Sequence, residues 1–441
     1  MKRIVSLIIS LLTIISVTAS SLSFIGNNKS VLTDKPVSST GLDEIYILYN
    51  LNGVSAQYKA SSSAEVKWYR FSNLGGGYAE ELSGITKQNN IYTLHKLESD
   101  MGYIVQEGTT RHYFWIVDYS KHYFDIDRLD FAPEQECDIV ALNPIGQGAP
   151  IKYYTINGQS KELSRDIKLT YNTLEYNAET SSYNETVITE TFSALSETIR
   201  AKAPLCNTEF SLSGDRFLKS WDEEISITSD SYTTIAVEAE TSATQTIREN
   251  DNEKKEEAAL GGSAPVEIEF NAVCTDAVIF TEWQFATDAE FENITYRMNE
   301  TQFTYTFREQ GTIYVRFVAS NNEGTCNYYS QTYEVFIGES SLECPNAFSP
   351  EGSEGINDEW KVSYKSIISF ECHIFNRWGI KVAELNDPSQ GWDGKHNGKY
   401  VPSGVYYYVI KAEGADGRKY NLNGDINIIK YKHSGTPTTT E

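Results

Sequence analysis

The chain has 441 residues, 29 of them tyrosine, and a formal net charge of −24. That length suffices for about three or four domains of ordinary size. The acidity excludes a binder that tracks phosphates, because such a protein needs a basic footprint, so no nucleic acid is expected as a partner. Frequent Tyr, Thr and Ser favour strands and turns over helices, and the expected fold class is all-β.

In chain order, Met1-Lys2-Arg3 is a short basic head, and Ile4 to Val17 is almost wholly apolar. Val17-Thr18-Ala19 and Ala19-Ser20-Ser21 follow with small residues. This is the three-part pattern of a secretory signal over 1–21, with an apolar run too short to span a bilayer. No Cys follows that run, so a lipid anchor is not expected. Residues 22–40 read as a flexible leader.

A first domain is expected over 41–133. Val66–Phe71 alternates as a strand, with Trp68 on the buried side. Tyr103-Ile104-Val105 and Tyr113–Val117 flank Gly108-Thr109-Thr110-Arg111 as a hairpin. Asp100-Met101-Gly102-Tyr103 resembles the approach to a tyrosine corner in immunoglobulin-like sandwiches, and Trp68 stands where their strand-C Trp would. Gly75-Gly76-Gly77 lacks the following Lys-Ser/Thr of a phosphate loop and reads as a hairpin tip. Tyr113, Trp115, Val117, Tyr119 and Tyr123 admit two readings. One is ordinary sandwich core. The other is a platform for a glycan or protein ligand, since aromatic rings stack on sugars and dominate interfaces.

A second β-rich domain is expected over 134–250, with short strands and no assignable topology. The charged run around 251–262, without apolar periodicity, reads as a linker. The third domain, 263–340, carries Glu282-Trp283-Gln284-Phe285, then Tyr305-Thr306-Phe307, Gly311–Phe317 and Ala319–Gly324. These blocks resemble PKD-like domains. The resemblance implies a seven-stranded sandwich used as an extracellular spacer.

The most informative stretch is 341–432, before a short tail at 433–441. It reads Cys344-Pro345-Asn346-Ala347-Phe348-Ser349-Pro350, then Asn357-Asp358-Glu359-Trp360. Phe375-Asn376-Arg377-Trp378-Gly379 and Trp392-Asp393-Gly394 follow; Pro402-Ser403-Gly404-Val405-Tyr406 opens a strand, Val405–Lys411, that alternates as one with a buried face does, and Asn423-Gly424-Asp425 precedes a last strand over Ile426–Tyr431. The order and spacing resemble the gliding-motility-associated C-terminal domain, the type B sorting domain of the type IX secretion system. The resemblance covers about a fifth of the chain. It implies a small β-sandwich read by the type IX secretion apparatus, export to the medium or the cell surface, and an outer-membrane partner of the PorP/SprF-like kind. Pattern alone makes Trp360, Trp378 and Trp392 core and turn residues, with a recognition surface as the alternative. The family's Asn-Gly-Asp-Gly-x-Asn-Asp is replaced here by Glu351-Gly352-Ser353-Glu354-Gly355-Ile356-Asn357-Asp358. The longer, altered loop weakens any Ca²⁺ cage, which needs six or more oxygens, so a turn held by side-chain-to-backbone hydrogen bonds is expected and no metal or cofactor.

Six cysteines occur without Cys-x-x-Cys spacing, which argues against structural zinc. In an exported chain oxidation is the default, and the simplest of the 15 connectivities is sequential. That gives Cys137 with Cys206, Cys274 with Cys326, and Cys344 with Cys372. No metalloprotease helix or nucleophile elbow is present. His95, His112, His122, His373, His396 and His433 are scattered. The expectation is a non-enzymatic surface protein, an adhesin or a structural part of a surface assembly. The alternatives are a secreted hydrolase with a carboxylate site hidden in the middle domain, and a free secreted binding protein.

Overall fold

The structure is a computed structural model that describes residues 22–26, 29–133, 135–255, 257–350 and 357–429. The signal segment 1–21, the loop Glu351–Ile356 and the tail 433–441 lie outside them. The described chain is nearly all strand and divides into two compact units, 1–172 with 187–203 and 207–232, and 173–186 with 204–206 and 233–441.

The first unit opens with a two-sheet sandwich. One sheet runs Leu22–Ile25, Ser55–Lys59, Ile91–Leu94, Thr86–Gln88. The other runs Leu32–Asp34, Glu44–Leu48, Thr110–Asp118, Met101–Glu107, Val66–Phe71, Glu80–Glu81. Alternate residues of the facing strands, among them Trp68, Tyr103, Val105, Phe114 and Ile116, meet Ala56, Tyr58 and Leu94 in one core. The Tyr103 hydroxyl accepts the Glu98 N–H at 2.7 Å, which closes the corner that Asp100–Tyr103 suggested.

Two expectations for this region are corrected, and one open choice is decided. Residues 22–40 are not a loose leader, because Leu22–Ile25 and Leu32–Asp34 are ladder strands. Strand pairing satisfies backbone groups whatever the polarity of the side chains. The first domain also ends earlier than 133: Asp125–Phe131 pairs with Ile139–Gln147 and belongs to the next sandwich. Of the two readings of the aromatic hairpin, burial favours core for Trp115, Val117 and Tyr119, while Tyr113 is half-buried and Tyr123 exposed. Phe114 and Ile116 fill the sandwich, while Trp115 and Val117 are buried on the opposite face, with Trp115 against Phe71 and Tyr154.

Glu107 is an isolated carboxylate inside this sandwich. It accepts from the Ser62 hydroxyl (2.6 Å), the Tyr58 hydroxyl (2.7 Å) and the N–H groups of Ser61 and Ser62. These donors, the Ser62 hydrogen bond foremost, hold its carboxyl at about 2.

The second sandwich has a sheet of Asp125–Phe131, Ile139–Gln147 and Ile199–Lys202. Its other sheet runs Ser182–Phe192, Ile167–Asn177, Ser211–Gly214, Ile225–Thr228. At its top a buried ion pair organises the surroundings. Arg165 donates to Asp215 at 2.5 Å, and through its other nitrogens to the carbonyls of Ala149 and His122. Asp215 also accepts from the Tyr119 hydroxyl and from the N–H groups of Phe217 and Leu218, capping the short helix Arg216–Ser220. The helix then holds the N-terminal segment: Arg216 pairs with Asp34, and Trp221 donates its indole N–H to the Ser30 carbonyl at 2.8 Å.

In the second unit, Ala239–Gln245, Val266–Cys274 and Gln302–Phe307 form one sheet. Gly261–Gly262, Tyr333–Ile337, Gly311–Ser320, Phe280–Ala286 and Ile294–Met298 form the other, with Asn327–Tyr329 added to Gly311–Ser320. Trp283, Phe270, Phe285, Phe303, Phe307 and Phe317 fill the space between them. The third domain therefore begins at Ala239, not at 263. The run 251–262 is an excursion inside it, and its two ends are fixed rather than loose.

The last domain is a sheet in the order Ala347–Phe348, Lys419–Ile428, Gly404–Gly414, Ile367–Phe375, Lys381–Leu385. The pair Ser341–Glu343 with Ser363–Lys365 and the small ribbon Lys395–His396 with Lys399–Tyr400 complete it.

The sequential cysteine pairing is also corrected. Cys206, Cys274, Cys344 and Cys372 are free thiols, so none of the three sequential pairs is formed. Apposition in the fold decides pairing, not order along the chain. Cys372 lies wholly in the core of the last domain, where burial pushes its thiol up to about 12.

Three outcomes follow. Alkylation of the denatured, unreduced chain should label Cys206, Cys274, Cys344 and Cys372 and spare Cys137 and Cys326, as read by peptide mass mapping. Arg165→Ala should cost about 3–5 kcal/mol in denaturant unfolding, since it strands the Asp215 carboxylate in the interior. Glu107→Gln should lose most stability relative to wild type near pH 7. Because the folded carboxyl sits at about 2 against an ordinary 4.5, that difference should shrink as pH falls between those values.

Candidate functional site

The motif residues of the C-terminal domain fall into two groups. Most of them build the interior. Trp360 and Trp392 exchange backbone hydrogen bonds at 2.9 and 3.0 Å, tying two irregular stretches together. Their indole N–H groups donate to the carbonyls of Pro345 and Lys395. A buried tryptophan needs such a partner, and both have one. Phe348 and Tyr406 pack on the Trp392 ring at 5.5 and 5.3 Å, and the Tyr406 hydroxyl donates to the Pro402 carbonyl. Asn346 accepts the N–H of Asn427. Asn357, at positive φ, accepts the N–H of Ser349.

Gly394 is required by space as well as angle. Its φ is 74°, and a Cβ there would lie 3.0 Å from the Pro350 ring. Asp393 accepts the N–H of Lys395 at 3.0 Å and pairs with its ammonium at 2.8 Å. Gly404, at φ 145°, starts the long strand.

The second group is a turn. Asn376 ends the strand Ile367–Phe375, and its side-chain oxygen accepts the N–H groups of Trp378 and Ile380 at 3.0 and 3.1 Å. Gly379 takes φ 78°, which only glycine adopts without strain. The turn is thus rigid, and it leaves Trp378 70% exposed with the Arg377 guanidinium stacked 4.3 Å over its ring. Ile380 is exposed beside it. The other two motif tryptophans, Trp360 and Trp392, are buried in the core, whereas Trp378 stands exposed on the turn.

The alternation read from Val405–Lys411 had a second consequence that the sequence did not announce. Tyr406 and Ile410 go inward, whereas Val405, Tyr407 and Val409 stand exposed on the outer face. Tyr407 is in register with Phe375, which leads into the Arg377–Trp378 turn. One outer strip therefore carries Val409, Tyr407, Phe375 and the turn.

Elsewhere, His112 faces Asp43 and His122 faces Asp100, so the two histidines serve different partners. Among the described residues no group of three His, Cys, Asp or Glu is placed to hold a metal. In the first unit a cleft of 420 Å³ is lined by His122, Gln147, Arg165 and Glu197 among others. Glu197 is its carboxylate, so this cleft offers no carboxylate pair of the kind the hydrolase alternative needs.

No curated protein matches the chain. Among solved structures it is similar to a tetra-tandem repeat from the extending region of a large adhesion protein (10% identity, 86% of this chain and 97% of that one, TM-score 0.22). It is also similar to the chicken CNTN1 FN1–FN3 domains (12%, 68% and 98%, TM-score 0.21) and to a Ca²⁺-stabilised adhesin described as helping an Antarctic bacterium bind ice (10%, 91% and 99%, TM-score 0.18). These likenesses carry no argument about function. Two domain families match parts of the chain: the fibronectin type III domain at 131–229 and the CHU_C type IX secretion signal domain at 342–428. Residues 342–428 are a type IX secretion signal domain behind a fibronectin type III-like domain, and they mark this chain for export by the type IX apparatus to the surface or the medium.

Proposed function

We propose that the chain is a non-enzymatic surface protein, an adhesin or a structural part of a surface assembly. Its upstream sandwiches are the delivered cargo. Its C-terminal domain is held at the outer membrane and read there through the Arg377–Trp378 turn. The observation that carries this reading is the exposure of Trp378 at a turn whose backbone is already fixed by Asn376 and Gly379. A large ring there adds nothing to the core, and exposed Trp and Arg side by side are the residues that dominate protein interfaces. The outer strip of Tyr407, Val405 and Val409 would extend the contact. A PorP/SprF-like outer-membrane protein is the partner this reading names.

The test is localisation in a host with a working type IX system, by external protease on intact cells. Trp378→Ala should change folding stability by no more than about 0.5 kcal/mol, as exposed substitutions do, yet lower the protease-accessible fraction several-fold. Trp360→Ala should fail by unfolding, losing about 3–5 kcal/mol. Wild-type surface display by a folded Trp378→Ala chain would refute the turn as the element that is read.

A further inference from the structure

The excursion between Ala239–Gln245 and Val266–Cys274 leaves its own domain and joins the next one. Glu253 forms a parallel bridge with Tyr364: the Lys254 N–H donates to the Tyr364 carbonyl at 2.7 Å, and the Tyr364 N–H to the Asn252 carbonyl at 3.1 Å. On its other side the strand Ser363–Lys365 pairs with Ser341–Glu343. Residues 252–254 therefore supply the outer edge of a small ladder within the signal domain.

The side chains reinforce that edge. Asn252 donates from one nitrogen to two carbonyls of the domain, Val362 and Pro388, both at 2.8 Å. These belong to separate stretches, one running from Trp360 and the other towards Trp392. The Tyr364 ring lies in the domain core, and its hydroxyl accepts from Asn250 at 2.9 Å and donates to Glu253. Glu253 is in turn held by Arg248 at 2.6 Å. At the rim Lys254 pairs with Glu343 and Lys361 with Asp251. A second seam lies at Ser366, which is fully buried: its N–H donates to the Ser263 hydroxyl and its own hydroxyl accepts the Ala264 N–H. Ala415 and Ile368 of the signal domain pack on the core of the preceding sandwich.

We infer that the working export signal of this chain begins at Asn250 and not at Leu342, with residues 250–254 acting as a clasp that holds the signal domain in the shape the secretion apparatus reads. This rests on the export reading above and adds the part of the chain that makes the signal competent. Without the clasp, the carbonyls of Val362 and Pro388 lose their donor, and the buried Tyr364 hydroxyl loses both partners. Those groups flank the Trp360–Trp392 exchange, on which the interior of the domain is built. An uncovered edge of this kind opens locally before the rest of the fold does. The preceding sandwich is thereby part of the signal: an exported chain presents its signal only once that sandwich has delivered the clasp.

The experiment uses the full chain. Asn252→Asp keeps the size of the side chain and turns its donor into an acceptor facing two carbonyl oxygens. Glu257→Ala, exposed on the same excursion but outside residues 250–254, is the control. Surface exposure is read by external protease on intact cells, and amide exchange is read on the purified chain. Asn252→Asp should lower the surface fraction at least about tenfold against Glu257→Ala, and exchange should quicken at Tyr364 and Trp392 while Trp283 and Phe317 stay protected. Should Asn252→Asp unfold the preceding sandwich, Tyr364→Phe, which removes only the hydroxyl contacts, should give a partial loss of display. Display of folded Asn252→Asp at the wild-type level overturns the clasp while leaving export intact. A wild-type chain that never reaches the surface overturns the export reading, and the clasp's role with it.

Discussion

A β-sheet leaves a row of unpaired N–H and C=O groups along each edge, and every sandwich in this chain has to cover its edges with something. Short segments from outside the regular strands do this repeatedly. Leu32–Asp34 covers Glu44–Leu48, Gly261–Gly262 runs parallel to Tyr333–Ile337, and Ala347–Phe348 runs parallel to Lys419–Ile428. Asn252–Lys254 does the same for Ser363–Lys365. The covering segments are two or three residues long, and what they share is backbone pairing: Gly261–Gly262 and Asn252–Lys254 bring no large apolar side chain, whereas Phe348 also enters the core. Asn252–Lys254 also connects two sandwiches, because it leaves one of them and pairs with a strand of the next.

The second recurring device is a polar group buried with its partners already in place. Arg165 and Asp215 are both almost fully buried, yet every direction of the pair is occupied by a carbonyl, a hydroxyl or a helix N–H. Glu107 sits in a cage of serine and tyrosine donors. Low dielectric makes such arrangements costly when incomplete and directional when complete. Here they fix places where an apolar contact would leave the angle open: a helix start against the N-terminal segment, and a loop against a strand.

In the signal domain the same economy separates structure from recognition. Trp360 and Trp392 have their rings packed and their N–H groups satisfied, so their role is exhausted by the fold. Trp378 has neither burial nor an obligatory partner, only a stacked arginine on a rigid turn. Three tryptophans that look equivalent in a motif are therefore not equivalent in the molecule, and the odd one out marks the surface to which the export reading points.

The sequence by itself determined the strand content, the buried side of Val66–Phe71, the tyrosine corner, and the family of the last domain. All of these are local: period-two alternation, turn residues at fixed offsets, and motif blocks within a hundred residues. Tertiary structure alone decided the rest. Residues 22–40 and 251–262 are polar and aperiodic, so nothing local distinguishes a linker from an edge strand whose pairing is made by its backbone. Alternation leaves Trp115 on the face away from the sandwich core, where Phe71 and Tyr154, the latter from a later strand, pack against it. The cysteines differ little in local sequence, and which of them remain free thiols depends on what the fold brings beside each. Alternation tells which side of a strand is apolar; what comes to lie against that side is settled by chain segments far away in sequence.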